Sequence, residues 1–287
     1  MKHINIQNWV DKAKSNPQLH SRRMLTEIIL EAVSLTPHLH DGLYLKGGTL
    51  MSIGYESPRS TVDIDFTVIT KDHEKFTDIF EKSLNGALRR STAKLGYIDY
   101  ICRVQKVEKK PKNRWPNGSK LSLKVTVGMV KRGTKQEQQL LEKRLPNVLS
   151  LDLSFFETVN EPDEIRLRKN DGAIQTYSIY DMVAEKCRAL LQAPTRHGRS
   201  RRQDVYDINW ILEQTNFTSD ELSKVLDILK SKSQTHGIDV DRNSMQNPEV
   251  RKLAQVGWSS IEQEIGELPD FNETFDAVVK FYTSLPW

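Results

Sequence analysis

Residues 149–155, LSLDLSF, alternate without a break, with Leu149, Leu151, Leu153 and Phe155 on one side and Ser150, Asp152 and Ser154 on the other. Successive strand side chains point to opposite faces, so this stretch belongs in a sheet with one covered and one polar face. Further strand patterns fall between about residues 97 and 169, in YIDYICRVQKV, in KLSLKVTVGMV after the turn-like WPNGSK, and in EIRLRKN. Two more precede them, Leu43 to Leu45 and VDIDFTVI. Helical spacing appears in residues 21–39, where Met24, Leu25, Ile28, Ala32 and Leu35 share a stripe that Pro37 ends, and again in residues 72–95. After residue 177 the strand signals stop and helices run to the end: SIYDMVAEKCRALLQ, RQDVYDINWILEQ, TSDELSKVLDILKSK, VRKLAQVGWSSIEQEI and NETFDAVVKFYTSL. The expected class is therefore α+β, a mixed-sheet core (residues 1–175) followed by a helical lobe (176–287), with a soft boundary in GAIQTY.

At 287 residues and 37% hydrophobic content, the chain is long enough for two lobes, each with a core. Two cysteines, Cys102 and Cys187, make no disulfide framework, and MKHINIQNWVDKAKS lacks the apolar run of a signal peptide. No apolar stretch approaches the roughly 20 residues needed to cross a bilayer, so a cytoplasmic protein is expected. The formal charge of +4 permits a polyanionic partner without requiring one.

In VDIDF, Asp63 and Asp65 stand two apart and so project from one face, while Ile64, Phe66 and Val68 take the other. Side by side the carboxylates repel, which favours a bound oxygen-preferring cation, Mg²⁺ first and Mn²⁺ as a substitute. Upstream lies Gly47-Gly48-Thr49. A Gly-Gly pair lets backbone N–H groups approach a phosphate, and Thr49 adds a hydroxyl. Asp152 would complete the carboxylate set if its strand lies beside that of Asp63 and Asp65; otherwise it belongs to a solvated outer face.

Two helices each carry a charge where an apolar side chain is expected. Lys186 falls within the stripe Ile179, Met182, Val183, Cys187 and Leu190, so its stem either snorkels to water or its ammonium meets an anion. Asp204 falls among Val205, Ile208, Ile211 and Leu212, where a first-turn acid can also serve as a cap. The connector between them carries Arg188, Arg196, Arg199, Arg201 and Arg202 with no acid, a composition suited to a nucleic-acid backbone. A second basic segment, KVEKKPKNRWPNGSK, reads as a hairpin with Trp115 near its tip, either a nucleic-acid contact or a solubilising surface.

Taken together, KGGT (Lys46 to Thr49), the run Arg59, Thr61, Asp63, Asp65, then Glu-Lys-x-x-Ala-Leu at 185–190 and Arg-Gln-Asp-x-x-Asp at 202–207 resemble the AbiEii/AbiGii family of nucleotidyltransferase toxins, within the DNA polymerase β-like superfamily. The resemblance spans roughly residues 20 to 215. It implies a nucleotidyltransferase core and a helical C-terminal lobe with the active site between them. Lys46, Gly47, Gly48, Thr49, Arg59, Thr61 and Lys186 would bind the nucleotide, Asp63 and Asp65 the metal with Asp152 as a third ligand, and Asp204 would complete a catalytic set of Asp63, Asp65 and Lys186. Arg196, Arg199, Arg201 and Arg202 would take RNA. Two departures stand out: Thr61 where Ser is common, and Gln203 between Arg202 and Asp204.

The resemblance further implies transfer of NMP from an NTP to RNA, foremost a tRNA 3′ end, in a toxin–antitoxin or phage-defence setting with an antitoxin encoded alongside. The alternatives are a phosphotransferase acting on a protein hydroxyl, a metal-dependent nuclease, and a non-catalytic nucleic-acid-binding module. The nuclease has no obvious use for the GGT turn.

Overall fold

The computed structural model describes residues 2–118, 120–168, 172–195 and 200–287. The chain divides into two compact units: Met1–Gly54, Thr61–Glu157 and Pro162–Thr176 in the first, and Tyr55–Ser60, Thr158–Glu161 and Tyr177–Trp287 in the second. Two short stretches far from the C-terminal helices thus belong to the second unit.

The strands are β1 (Lys2–His3), β2 (Leu43–Lys46), β3 (Asp63–Val68), β4 (Tyr100–Lys110), β5 (Ser122–Lys131), β6 (Leu149–Phe155), β7 (Pro162–Arg166) and β8 (Ala173–Tyr177). They form one mixed sheet in the order β1-β7-β8-β2-β3-β6-β5-β4. β3 runs parallel to β6 and antiparallel to β2, and β5 runs antiparallel to both β4 and β6. The expected α+β class with a mixed-sheet core is what the fold contains. The long C-terminal part of the second unit begins after Thr176, within the GAIQTY stretch read as a soft boundary; that stretch also contains strand β8, paired parallel with β2 and buried at Ile174, Thr176 and Tyr177. Its five residues are too few for a period to stand out.

One face of the sheet is apolar, with Leu43, Leu45, Ile64, Phe66, Val125, Leu151 and Leu153 all buried. Helices Pro17–Ser34 and His73–Lys94 pack on this side. Each begins at a side-chain cap: Asn16 accepts from the Leu19 N–H, with Pro17 as the first helical residue, and Asp72 accepts from the Lys75 N–H. Covering this face leaves the other to polar residues, as the alternation in β6 requires.

The second unit holds helices Ile179–Gln192, Arg202–Gln214, Ser219–Thr235, Pro248–Gln255, Glu262–Ile265 and Phe271–Ser284. The run expected as one helix over VRKLAQVGWSSIEQEI is broken at Gly257, whose φ of +73° ends helical geometry. The core includes Val183, Leu190, Val205, Ile208, Leu229, Phe275 and Val278. The outlying stretches are tied in by hydrogen bonds. The Trp210 indole donates to the Tyr55 carbonyl (2.8 Å), Lys232 Nζ donates to the Thr158 carbonyl (2.8 Å), and the Asp181 carboxylate accepts from the Glu161 N–H (2.9 Å). Among the described residues, no helix is long and apolar enough to cross a membrane.

Candidate active site

The parallel pairing of β3 with β6 sets Asp63 opposite Ser150 and Asp65 opposite Asp152. Register partners share a face, so three carboxylates meet on the polar side. Oxygen atoms of Asp63, Asp65 and Asp152 all lie within 4.8 Å of one another, each half-buried. At that spacing each pair of anions repels by about 3 kcal/mol at an effective dielectric of roughly 20. An all-oxygen donor set of this charge suits a hard divalent cation.

The neighbouring residues hold these acids in place. Lys46 ends β2 opposite Asp65, and Gly47 turns the chain with φ +69° into the helix Gly47–Gly54. A Cβ on Gly47 would overlap the Asp65 carboxylate and lie 3.0 Å from its Cγ, so the backbone passes Asp65 at a distance only glycine allows. The Thr49 hydroxyl donates to the Asp63 carbonyl (2.8 Å), and the residue is 1% exposed. The Thr61 hydroxyl reaches both the carbonyl and Oδ1 of Asp63 (3.2 Å each). Both hydroxyls expected at the nucleotide are thus directed at Asp63. Lys46 forms an ion pair with Glu157, which also accepts from the Thr67 hydroxyl (2.8 Å).

The second unit contains the other charged group. Lys186 Nζ lies 2.7 Å from Asp207 Oδ2 and 3.2 Å from Asp204 Oδ1. Arg59 grips the same Asp207 with two parallel bonds of 2.9 Å from Nε and Nη2, and its Nη1 lies 3.6 Å from Glu264. Asp207 is fully buried, and Arg59 is 7% exposed. Burial alone would push the Asp207 carboxyl up, but Lys186 and Arg59 hold it below the usual carboxylate range. Burial likewise disfavours the Lys186 ammonium, yet Asp207 and Asp204 keep its pKa above the ordinary lysine value. The anion required by the misplaced Lys186 is therefore a pair of acids one helix away, and the guanidinium of Arg59 is taken up by carboxylates.

Of the RNA-binding candidates, Arg196 and Arg199 lie outside the described residues. Arg201 Nη1 is 3.5 Å from Asp204 Oδ2, and Arg202 donates to the Ser200 hydroxyl (3.2 Å). Trp115 is no free tip: its ring packs edge-on against His73 (5.7 Å) and Phe155 (5.8 Å). Sequence reading gave Asp207 and Glu157 no role. Asp207 could have been found, because it lies three residues after Asp204 on one helix and inside the quoted motif.

A model of the family described as "Nucleotidyl transferase AbiEii toxin, Type IV TA system" matches residues 28–280. No curated protein sequence matches the chain. Among solved structures, MenT4, a nucleotidyltransferase toxin from Mycobacterium tuberculosis H37Rv, is similar with a TM-score of 0.55 at 13% identity, over 98% of this chain and 90% of that one. JHP933 from Helicobacter pylori is similar with a TM-score of 0.51 at 15% identity, over 94% of this chain and 92% of that one. At those identities the structures speak for the fold, and the family match speaks for the kind of protein. Spanning most of the chain, it shows that the protein belongs to the nucleotidyl transferase AbiEii toxins of type IV toxin–antitoxin systems.

Proposed function

We propose that this toxin transfers NMP from an NTP to an RNA acceptor, a tRNA 3′ end foremost, in a Mg²⁺-dependent reaction that releases pyrophosphate. The observation that carries the reading is the set of three carboxylates, Asp63, Asp65 and Asp152, across two paired strands with the Gly47 turn against Asp65. Three carboxylates on one sheet face suit a metal-bound triphosphate, and the family match favours nucleotidyl transfer over RNA cleavage.

In this reading Asp63, Asp65 and Asp152 hold the metal, with Mn²⁺ able to replace Mg²⁺. When bound, the metal offsets charge on the phosphoryl oxygens. Gly47 and Gly48 offer backbone N–H groups to the triphosphate, with Lys46 beside them. Thr49 and Thr61 fix Asp63 through its carbonyl and Oδ1. One of the carboxylates orients the acceptor hydroxyl and takes its proton. Lys186, paired with Asp204 and Asp207, and Arg59, clamped on Asp207, order the second unit through that shared ion network. The basic connector with Arg196, Arg199, Arg201 and Arg202 meets the RNA backbone, and a cognate antitoxin restrains the activity in the cytoplasm.

Purified protein is incubated with Mg²⁺, total RNA and each α-³²P-labelled NTP in turn, with Asp65→Ala as control. Label on RNA with one NTP, absent in the control, is the expected result. RNA that stays unlabelled under every NTP removes this reading and favours modification of a protein hydroxyl, a reaction that would be traced with γ-³²P-labelled NTP.

A further inference from the structure

The row of register partners through Asp65 continues beyond Asp152. Lys124 of β5 stands opposite Asp152, and Glu108 of β4 stands opposite Lys124, so Glu108, Lys124, Asp152, Asp65 and Lys46 cross one polar face in line. Adjacent strands lie about 4.8 Å apart, which puts Lys124 one strand from the acid cluster. A lysine between two acids would ordinarily pair with one of them. Lys124 forms no ion pair or hydrogen bond among the described residues, although it is half-buried. By contrast, Lys46 on the other flank is bound to Glu157.

The register also sorts the basic residues of the 106–120 segment. Lys106 pairs with Thr126 and Lys110 with Ser122, which puts both on the acid face. Lys109 points the other way, over the Trp115 ring (5.4 Å). Lys110 is exposed, and among the described residues Lys106 holds only Glu108 (2.6 Å) with a side chain 65% exposed, a pair that a phosphate can displace. Lys106 and Lys110 are separated by about 13 Å at 3.3 Å per residue, a span of about four stacked nucleotides at 3.4 Å each. Thr126 and Ser122 stand opposite them on β5, with Glu108 and Lys124 midway.

We propose that this flank, Lys124 with Lys106 and Lys110, binds the sugar-phosphate backbone of a single-stranded RNA end, with Lys124 on the phosphate nearest the reacting hydroxyl. The side follows from the chemistry. Attacking and leaving oxygens sit roughly in line on opposite sides of the transferred phosphorus. The Gly47 turn lies at the β2–β3 end of the cluster, so a triphosphate there leaves the β5 side for the acceptor. This rests on RNA being the acceptor.

The test uses the full-length protein, total tRNA as acceptor probe and whichever NTP labels it, and measures KM for each substrate and the salt dependence. In K124Q, KM for RNA rises tenfold or more while KM for the NTP stays within twofold, and K124R recovers most of the loss. K106Q/K110Q, at exposed positions of the edge strand, raises KM for RNA alone. The slope of log affinity against log salt falls by about 0.7 for each lost phosphate contact. An increase in KM for the NTP in K124Q, unchanged KM for RNA in both variants, or failure of K124R to rescue overturns the proposal. If wild-type protein labels RNA and the variants behave like it, only this inference fails; if wild-type labels none, the RNA reading fails and takes this one with it.

Discussion

Gly47→Ala tests whether the geometry of the acid cluster limits the reaction. The residue has φ +69°, where an L side chain costs about 1–2 kcal/mol, partly offset by a loss of unfolded-chain freedom worth about 0.4–1 kcal/mol. The net stability loss is therefore about 1 kcal/mol, which for a chain of this length lowers the melting midpoint by about 2–4 °C and leaves it folded. The larger effect is local. The new Cβ would sit 3.0 Å from Asp65 Cγ and overlap Oδ2, so ordinary contact returns only if the carboxylate withdraws by roughly 1 Å. Metal–ligand distances tolerate only about 0.2 Å, and a 1 Å misplacement of a reacting group costs about 100-fold in rate. Labelling of RNA from an α-³²P NTP is therefore expected to drop about 100-fold, with the Mg²⁺ dependence displaced to higher concentration and partly restored by excess metal. Activity within threefold of wild type at an unchanged Mg²⁺ midpoint would refute the argument that Asp65 is held at this position for metal binding.

Asp152→Asn removes one anion while keeping shape, and is expected to raise the Mg²⁺ needed for half-maximal labelling at least tenfold without lowering the melting midpoint, since relief of repulsion offsets any lost contact. Thr61→Val deletes the hydroxyl on Asp63 Oδ1 and should cost about 1 kcal/mol, read as a few-fold weaker metal dependence rather than a loss of fold. Asp207→Asn leaves the buried cations Arg59 and Lys186 without their shared anion and is expected to destabilise the protein by about 3–5 kcal/mol in denaturant titration. Because the folded-state pKa of Asp207 lies below its ordinary 3.8, its contribution is complete above that value and is lost as pH falls further, so the stability difference between wild type and the Asn variant should be constant above about pH 4 and shrink below it. Burial pushes the Cys102 and Cys187 thiols up to about 12, so neither should react with iodoacetamide at pH 8 until the protein is unfolded.

What the sequence disclosed and what it withheld divide along a physical line. Periodicity reports which face a side chain takes, and on that ground Asp63, Asp65 and Asp152 could each be put on the polar side of a strand, and Lys186 recognised as a charge in an apolar stripe. Pairing is a property of two segments, and nothing local in LSLDLSFF says that its neighbour is VDIDF rather than EIRLRKN; the encounter of Asp152 with Asp65 is fixed by the parallel β3–β6 register alone. The same limit hid the clamp of Arg59 on Asp207, since Arg59 sits in a six-residue stretch that joins a unit formed mostly by the C-terminal helices. β8 escaped because five residues, AIQTY, with a buried Thr176 do not advertise a strand. Gly47 shows how one residue can carry two arguments of unequal weight. A glycine between a strand and a helix suggests a phosphate cradle, but its positive φ and the nearness of Asp65 already require glycine there whether or not a phosphate comes. The glycine is therefore evidence for the position of Asp65, and the case for a triphosphate rests on the three carboxylates and the family to which the chain belongs.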